Sequence, residues 1–282
     1  MVGISSKIPD LKNKYKVLKM LALFSVFIVT IISGLVAVTG GNGLILMPSL
    51  LMMNYDIKEV MVLIRVSAVV FVLFNLFALI NGKQIPKFDK RDLTITVTSC
   101  LSVLLSISLL SKLDNTSLMF IISIILIGLF LLVMFKPKGS YLASFFMCTL
   151  PIFAGICGSA VGGAGLIISI LYTLLGSTHI EAVQKRIIPS LIIQILSFAT
   201  FLSQGISVST SLLVTVIIAT AISGYLNMKI FLNLSPKNGK ILFYASFIFS
   251  IGNLLEDAFE NILEAKGLDW INIVHILKNI FS

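Results

Sequence analysis

Two glycine clusters carry the residue types and spacing that best fit a ligand site: Gly40-Gly41-Asn42-Gly43 and Gly162-Gly163-Ala164-Gly165. They lie 122 residues apart, and each is followed by Leu-Ile and a short charge-free run, Leu44 to Met53 and Leu166 to Gly176. Glycine costs up to about 1 kcal/mol per helix position relative to alanine. Irregular backbone at membrane depth is tolerated only where protein or a water-filled cavity satisfies its polar groups. Each cluster therefore reads as a break that opens a half-helix reaching roughly 15 Å, half a bilayer. The free N–H groups and positive dipole end of such a half-helix point into the protein. The competing reading is that the glycines only let helices pack closely. Recurrence at corresponding positions of two halves favours a solute site near the membrane midplane.

The charged residues nearest these breaks come next. Arg65 lies about two turns into the apolar run after the first half-helix, and Lys185 and Arg186 lie at nearly the same depth after the second. Long basic side chains can snorkel to headgroups. Facing the cavity instead, they would attract an anion, the sign that helix amino ends also favour. Glu59 and Glu181 share the 122-residue spacing and invite a proton-coupling role, although a carboxylate in a first helical turn also simply complements the dipole. Asn75, Gln194 and Ser197 are polar residues inside apolar spans and fit interhelical hydrogen bonds. His179 reads as a loop residue.

Other chemistries find no support. Cys100, Cys148 and Cys157 all fall in apolar spans without CxxC spacing, and with only His179 and His275 no metal-ligand cluster is legible. No nucleotide-binding or nucleophile-elbow motif occurs, so neither cofactor, metal nor enzymatic activity is expected. The net charge of +9 has no soluble domain on which to form a nucleic-acid face. It fits better with basic residues flanking membrane spans.

The elements that must position these residues follow from composition. The chain is 57% hydrophobic and 12% charged, against about 25% charged in soluble domains. The charge-free stretches are longer and more continuous than barrel strands. An all-α integral membrane protein is expected, with eight spans near Val17 to Val38, Ile57 to Ile80, Leu93 to Leu110, Ser117 to Phe135, Tyr141 to Gly158, Ile180 to Ser203, Val208 to Tyr225 and Lys240 to Leu255. These group into a basic tail (1–16), two four-helix repeats (17–135 and 136–255) and an acidic, amphipathic tail (256–282). Ser33-Gly34 and Ala154-Gly155 also correspond if one residue is inserted. If the half-helices are re-entrant the halves run parallel; if they cross, each half has five crossings and the halves are inverted. With eight spans, the amino-terminal lysines share a side with Lys83, Lys87, Lys90, Arg91, Lys136 and Lys138. Lys112, Lys185, Arg186, Lys229, Lys237 and Lys240 fall opposite, and on this balance a plasma-membrane protein with both termini cytoplasmic is expected. The carboxyl tail, with Trp270, Ile273, Val274, Leu277 and Phe281 at helical spacing, reads as an interfacial helix.

A four-span unit repeated twice, each with a GGxG cluster and an apolar half-helix, resembles the TauE/SafE family of sulfite and organosulfonate exporters. The first copy, Thr39 to Leu50, carries the proline and leucine that follow the glycines in that family, while the second has Ile170 where the proline would stand. Ala219 to Tyr225 and Ser235-Pro236 resemble the seventh span and the loop after it. The Thr-Ser pair of that family is replaced by Leu63-Ile64 and Lys185-Arg186. The resemblance implies secondary transport of a small anion such as sulfite or an organosulfonate, by a protein whose partners are that solute and the bilayer, with a homo-oligomer left open. The alternative is a membrane-embedded scaffold or assembly factor, which needs only the bundle.

Overall fold

The computed structural model describes residues 8–38, 40–53, 55–85, 87–110, 140–202, 208–235 and 237–245, with isolated positions at 124, 127–128, 131, 248 and 252. The expected fourth span, most of the eighth and the amphipathic carboxyl tail lie outside the described residues. All regular elements described are helices: α1 (Ile8–Val36), α2 (Asn42–Met52), α3 (Ile57–Asn81), α4 (Lys90–Leu110), α5 (Ser140–Val161), α6 (Ala164–Leu174), α7 (His179–Lys185), α8 (Ile187–Leu202) and α9 (Thr210–Leu232). Residues 237–245 are helical as well.

Among the described residues, three helices are long and apolar enough to cross a membrane: Glu59–Asn81, Ala143–Ala160 and Thr210–Leu232. A fourth is counted if α7 and α8, bent by 40° at Arg186, form one span. Where the sequence reads as one unbroken helix from Ile180, the structure is bent for a local reason. Pro189 has no N–H to give to the Lys185 carbonyl, and its ring crowds the turn before it.

Both expected half-helices are present, at 11 residues each. In α2 and α6 the residue before the first turn is glycine, Gly41 and Gly163, and no side chain caps either amino end. Gly40 and Gly162, one residue earlier, both lie in the left-handed region at φ 92° and 70°. That conformation costs an L-residue roughly 1–2 kcal/mol, which explains the glycine at each equivalent position.

The long helices pair across the chain: α1 packs on α9, α4 on α5, α3 on α9 and α4 on α8. Two of these pairs close at the glycines that align between halves. A Cβ on Gly34 of α1 would collide with the Ser223 side chain of α9, and one on Gly155 of α5 would collide with the Ser99 carbonyl of α4. Such close approach of small residues is how apolar helices associate where no hydrophobic effect drives them together. Outward-facing side chains such as Phe24, Ile32, Phe77, Leu105 and Ile218 stay exposed, as lipid contact requires.

Candidate functional site

The site forms where the chain leaves α1 and α5. After Val38 the backbone turns through Gly40 and Gly41 into α2; after Val161 it turns through Gly162 and Gly163 into α6. The two clusters touch. A Cβ on Gly165 would lie 3.1 Å from the Gly40 carbonyl oxygen, and one on Gly162 would lie 3.7 Å from the Gly43 Cα. Gly41 and Gly163 both abut Leu44, and Ala164 is fully buried, its Cβ 3.0 Å from a Cβ built on Gly158.

The arginines do not reach headgroups. Arg65 is 3% exposed and Arg186 0%. Arg186 donates from Nη2 to the Val38 carbonyl at 3.1 Å, and Arg65 donates from Nη2 to the Ser159 carbonyl and from Nη1 to that of Met61 at 3.0 Å. Val38 and Ser159 stand 121 residues apart, as do Arg65 and Arg186. Each arginine thus crosses to the main-chain carbonyl just before the break in the other half. Those carbonyls lie at the carboxyl ends of α1 and α5, where the negative dipole end receives a cation well.

Beyond that shared contact the two arginines differ. The Arg186 guanidinium is wedged between the clusters: a Cβ on Gly40 would collide with Nη1, and one on Gly165 would lie 2.8 Å from it. Arg186 Nε and Nη1 have no hydrogen-bond partner among the described residues. Leaving a buried donor unmet costs about 1–3 kcal/mol, and more when the group is charged. The result is a fully buried cation with unmet donors beside two uncapped helix amino ends, an arrangement of positive potential.

The remaining residues of interest fall around this centre. Asn42 donates from Nδ2 to Ser67 Oγ at 3.0 Å, and Ser67 meets Thr220 Oγ1 at 2.9 Å, which ties the start of α2 to α3 and α9. Lys185 does not join Arg186; its Nζ lies 6.0 Å from the centroid of the Tyr172 ring. Glu181 forms a capping box with Thr178, its Oε2 accepting from Thr178 N at 3.0 Å while Thr178 Oγ1 accepts from Glu181 N at 3.3 Å. Glu59 accepts from Ser209 N at 3.2 Å. Beside it, in the turn between α2 and α3, the Tyr55 phenol is pushed above its usual range by burial and then by the Glu59 charge. Neither glutamate approaches the glycine clusters in these contacts.

One buried contact has no precedent in the sequence reading. Tyr172 of α6 donates its hydroxyl to Asp92 at the start of α4, and both are buried. Asp92 Oδ2 also accepts from Asp89 N at 2.8 Å. The pair, 80 residues apart, ties the far end of the second half-helix to α4. Asp92 opens an apolar span and looks like an ordinary first-turn carboxylate, so only its partner reveals it.

Two apolar half-helices whose amino ends meet over a buried arginine, inside a bundle of long apolar helices, define a membrane protein of the transporter kind. The sequence matches the family described as Sulfite exporter TauE/SafE over residues 22–254, and the chain belongs to that family. Its members are membrane transporters rather than enzymes. No curated protein and no solved structure matches the chain.

Proposed function

We propose that this protein is a secondary transporter for a small anion, of the oxidised-sulfur or organosulfonate class, bound where Gly40 and Gly165 flank Arg186. The observation that carries this reading is the Arg186 guanidinium, fully buried with two nitrogens unpartnered among the described residues. An oxyanion is a partner of the right sign and shape for those donors and for the N–H groups that open α2 and α6. Family membership supports the substrate class.

The protein works as two inverted units, each with a broken first helix. The inversion is supported by the contacts of α3. Its start, at Glu59, meets Ser209 just before α9, while its end meets α7, where Gln184 Nε2 donates to Gln84 Oε1 at 3.0 Å. The helix bent at Arg186 is the counterpart of α3 in the second unit, so counterparts run in opposite directions. Inversion of this kind needs an odd number of crossings in each unit, which fits half-helices that cross rather than turn back.

The test is thermal stabilisation of purified protein by sulfite, methanesulfonate, acetate and choline, since a solute that binds only the folded state raises stability by mass action. At 100 times Kd the expected gain is about 2.7 kcal/mol. The sulfur oxyanions should stabilise the protein and the Arg186→Gln variant should lose the effect. Stabilisation by choline alone, or an unaltered response in Arg186→Gln, overturns the anion site; no response to any solute leaves the scaffold reading.

A further inference from the structure

Polar groups continue from Arg186 in both directions along the helices of the second half. On α6, Ser169 and Thr173 follow Gly165 at intervals of four, so all three share one helix face. Ser169 Oγ donates to the Gly165 carbonyl at 2.9 Å and Thr173 Oγ1 to the Ser169 carbonyl at 2.9 Å. Thr173 lines a cavity of about 400 Å³ together with Ser177, Thr178, His179 and Lys240. Lys240 is held at its rim with Nζ 5.9 Å from the Tyr244 ring centroid. The Thr178 hydroxyl accepts in the capping box and keeps its proton for another acceptor. Glu181, the nearest carboxylate in that loop, is already turned to the Thr178 backbone N–H.

On α8 the stripe continues with Ser190 and Gln194, again at intervals of four from Arg186, and both are buried. Ser190 Oγ and Gln194 Oε1 have no hydrogen-bond partner among the described residues, as is true of Arg186 Nε and Nη1. Three residues one turn apart on a buried helix face therefore carry unmet polar atoms. Asn75 of α3 is buried with its amide unpartnered too, but its neighbours on that face are Phe71 and Leu79, both fully buried and apolar, so no line of polar groups extends from it.

We propose that the anion travels along the second half alone, from the Lys240 vestibule past Thr173 and Ser169 to Arg186 and on past Ser190 and Gln194. This rests on the anion site at Arg186. The route is closed in the state described, because Ser169 is fully buried beneath Thr173. Lys240 gathers anions at the mouth by charge, and the hydroxyls and the Gln194 amide replace water around a small oxyanion as it moves. The first half supplies backbone, not side chains, to the path.

The experiment is thiol accessibility in the full chain with Cys100, Cys148 and Cys157 replaced by alanine. Single cysteines are placed at Thr173, Ser169 and Ser190, and at Met47, which occupies on α2 the position of Ser169 on α6. The probes are 2-sulfonatoethyl methanethiosulfonate, itself a sulfonate, and its cationic trimethylammonium analogue. The sulfonate should modify Thr173→Cys fastest and Ser169→Cys and Ser190→Cys at least about ten times faster than Met47→Cys. Lys240→Gln should slow sulfonate modification at Thr173→Cys several-fold and spare the cationic probe. Equal modification of Met47→Cys and Ser169→Cys, or indifference to Lys240→Gln, overturns the route. Gln194→Leu adds a readout that packing alone would not give. It should raise the melting temperature, by removing an unmet polar atom, while lowering transport about ten-fold or more; a lower melting temperature with transport intact overturns the Gln194 assignment. Combined with the stabilisation assay, the two readings separate. Lost stabilisation in Arg186→Gln with uniform labelling sinks the route and leaves the site, whereas retained stabilisation sinks the site and, with it, the route through Arg186, whatever the labelling.

Discussion

The half-helices α2 and α6 begin on the same glycine pattern and carry different interiors. Four and eight residues past the last glycine of each cluster, α2 has Met47 and Leu51, whereas α6 has Ser169 and Thr173. The same contrast holds one helix later. Four and eight residues past Arg65 stand Val69 and Leu73; past Arg186 stand Ser190 and Gln194. Both halves keep the left-handed glycine, the uncapped amino end and the arginine that crosses over, which are the parts that fix backbone. At these four pairs of positions only the second half has polar side chains. On the proposed route, the first half would hold the frame and the second would line the path.

Of the substitutions that test this contrast, those at the arginines should show the largest effect. Arg186→Met should abolish transport, by roughly 100-fold or more, and remove stabilisation by oxyanions, because it deletes the donors that face both clusters. Arg65→Met should mainly destabilise, by about 3 kcal/mol as the Ser159 carbonyl loses a charged partner, while stabilisation by oxyanions persists. Binding assays on both variants decide it, and identical loss of binding in the two would make the halves functionally equal.

The left-handed glycines come next. Gly40→Ala combines backbone strain of about 1–2 kcal/mol with a collision against Arg186 Nη1. Gly162→Ala bears the same strain, but its tightest contact is the Ile64 Cγ2 at 3.1 Å. Gly40→Ala should therefore lose transport and Gly162→Ala should lose mainly melting temperature, as read in vesicles and by thermal unfolding.

Smaller differences are expected at the helix crossings. Gly155→Ala drives a methyl into the Ser99 main-chain carbonyl, which cannot turn away, and overpacking of this kind costs about 1–3 kcal/mol. Gly34→Ala meets the Ser223 Cβ at 2.6 Å as well as its Oγ, and since no rotamer change moves a Cβ, it should cost a comparable amount. The smallest effect belongs to the capping box: Thr178→Ala should cost about 1 kcal/mol of stability. Glu181→Ala should leave the pH dependence of transport unchanged; a shifted pH profile in that variant would restore Glu181 as a coupling residue.

Much of the frame was legible in the residues. Glycine clusters inside charge-free stretches announce broken helices because few other arrangements tolerate them, and the run lengths after them give half-helices to within about two residues. Family resemblance rested on the same glycines and is borne out over residues 22–254. The bend at Arg186 was present in Pro189 but was masked by an otherwise continuous apolar run. The arginine contacts were hidden for a different reason: their acceptors are the main-chain carbonyls of Val38 and Ser159, and a carbonyl has no residue type to betray it. A one-residue difference in spacing, 121 for the arginines against 122 for the glycines, further obscured that the two are counterparts. Gln194 stood among polar residues assigned to helix packing, and only the missing partner for its Oε1 distinguishes it.

The bond from Arg186 to Val38 spans 148 residues of chain, and this sets a timetable for biosynthesis. At about 5–20 residues per second, roughly 7–30 s separate synthesis of the first break from synthesis of the side chain that completes it. Through that interval the nascent first half must sit in the membrane with the carbonyl at the end of α1 waiting for its cation. A ribosome halted after Gly165 would leave a segment with both glycine clusters in place and no guanidinium between them.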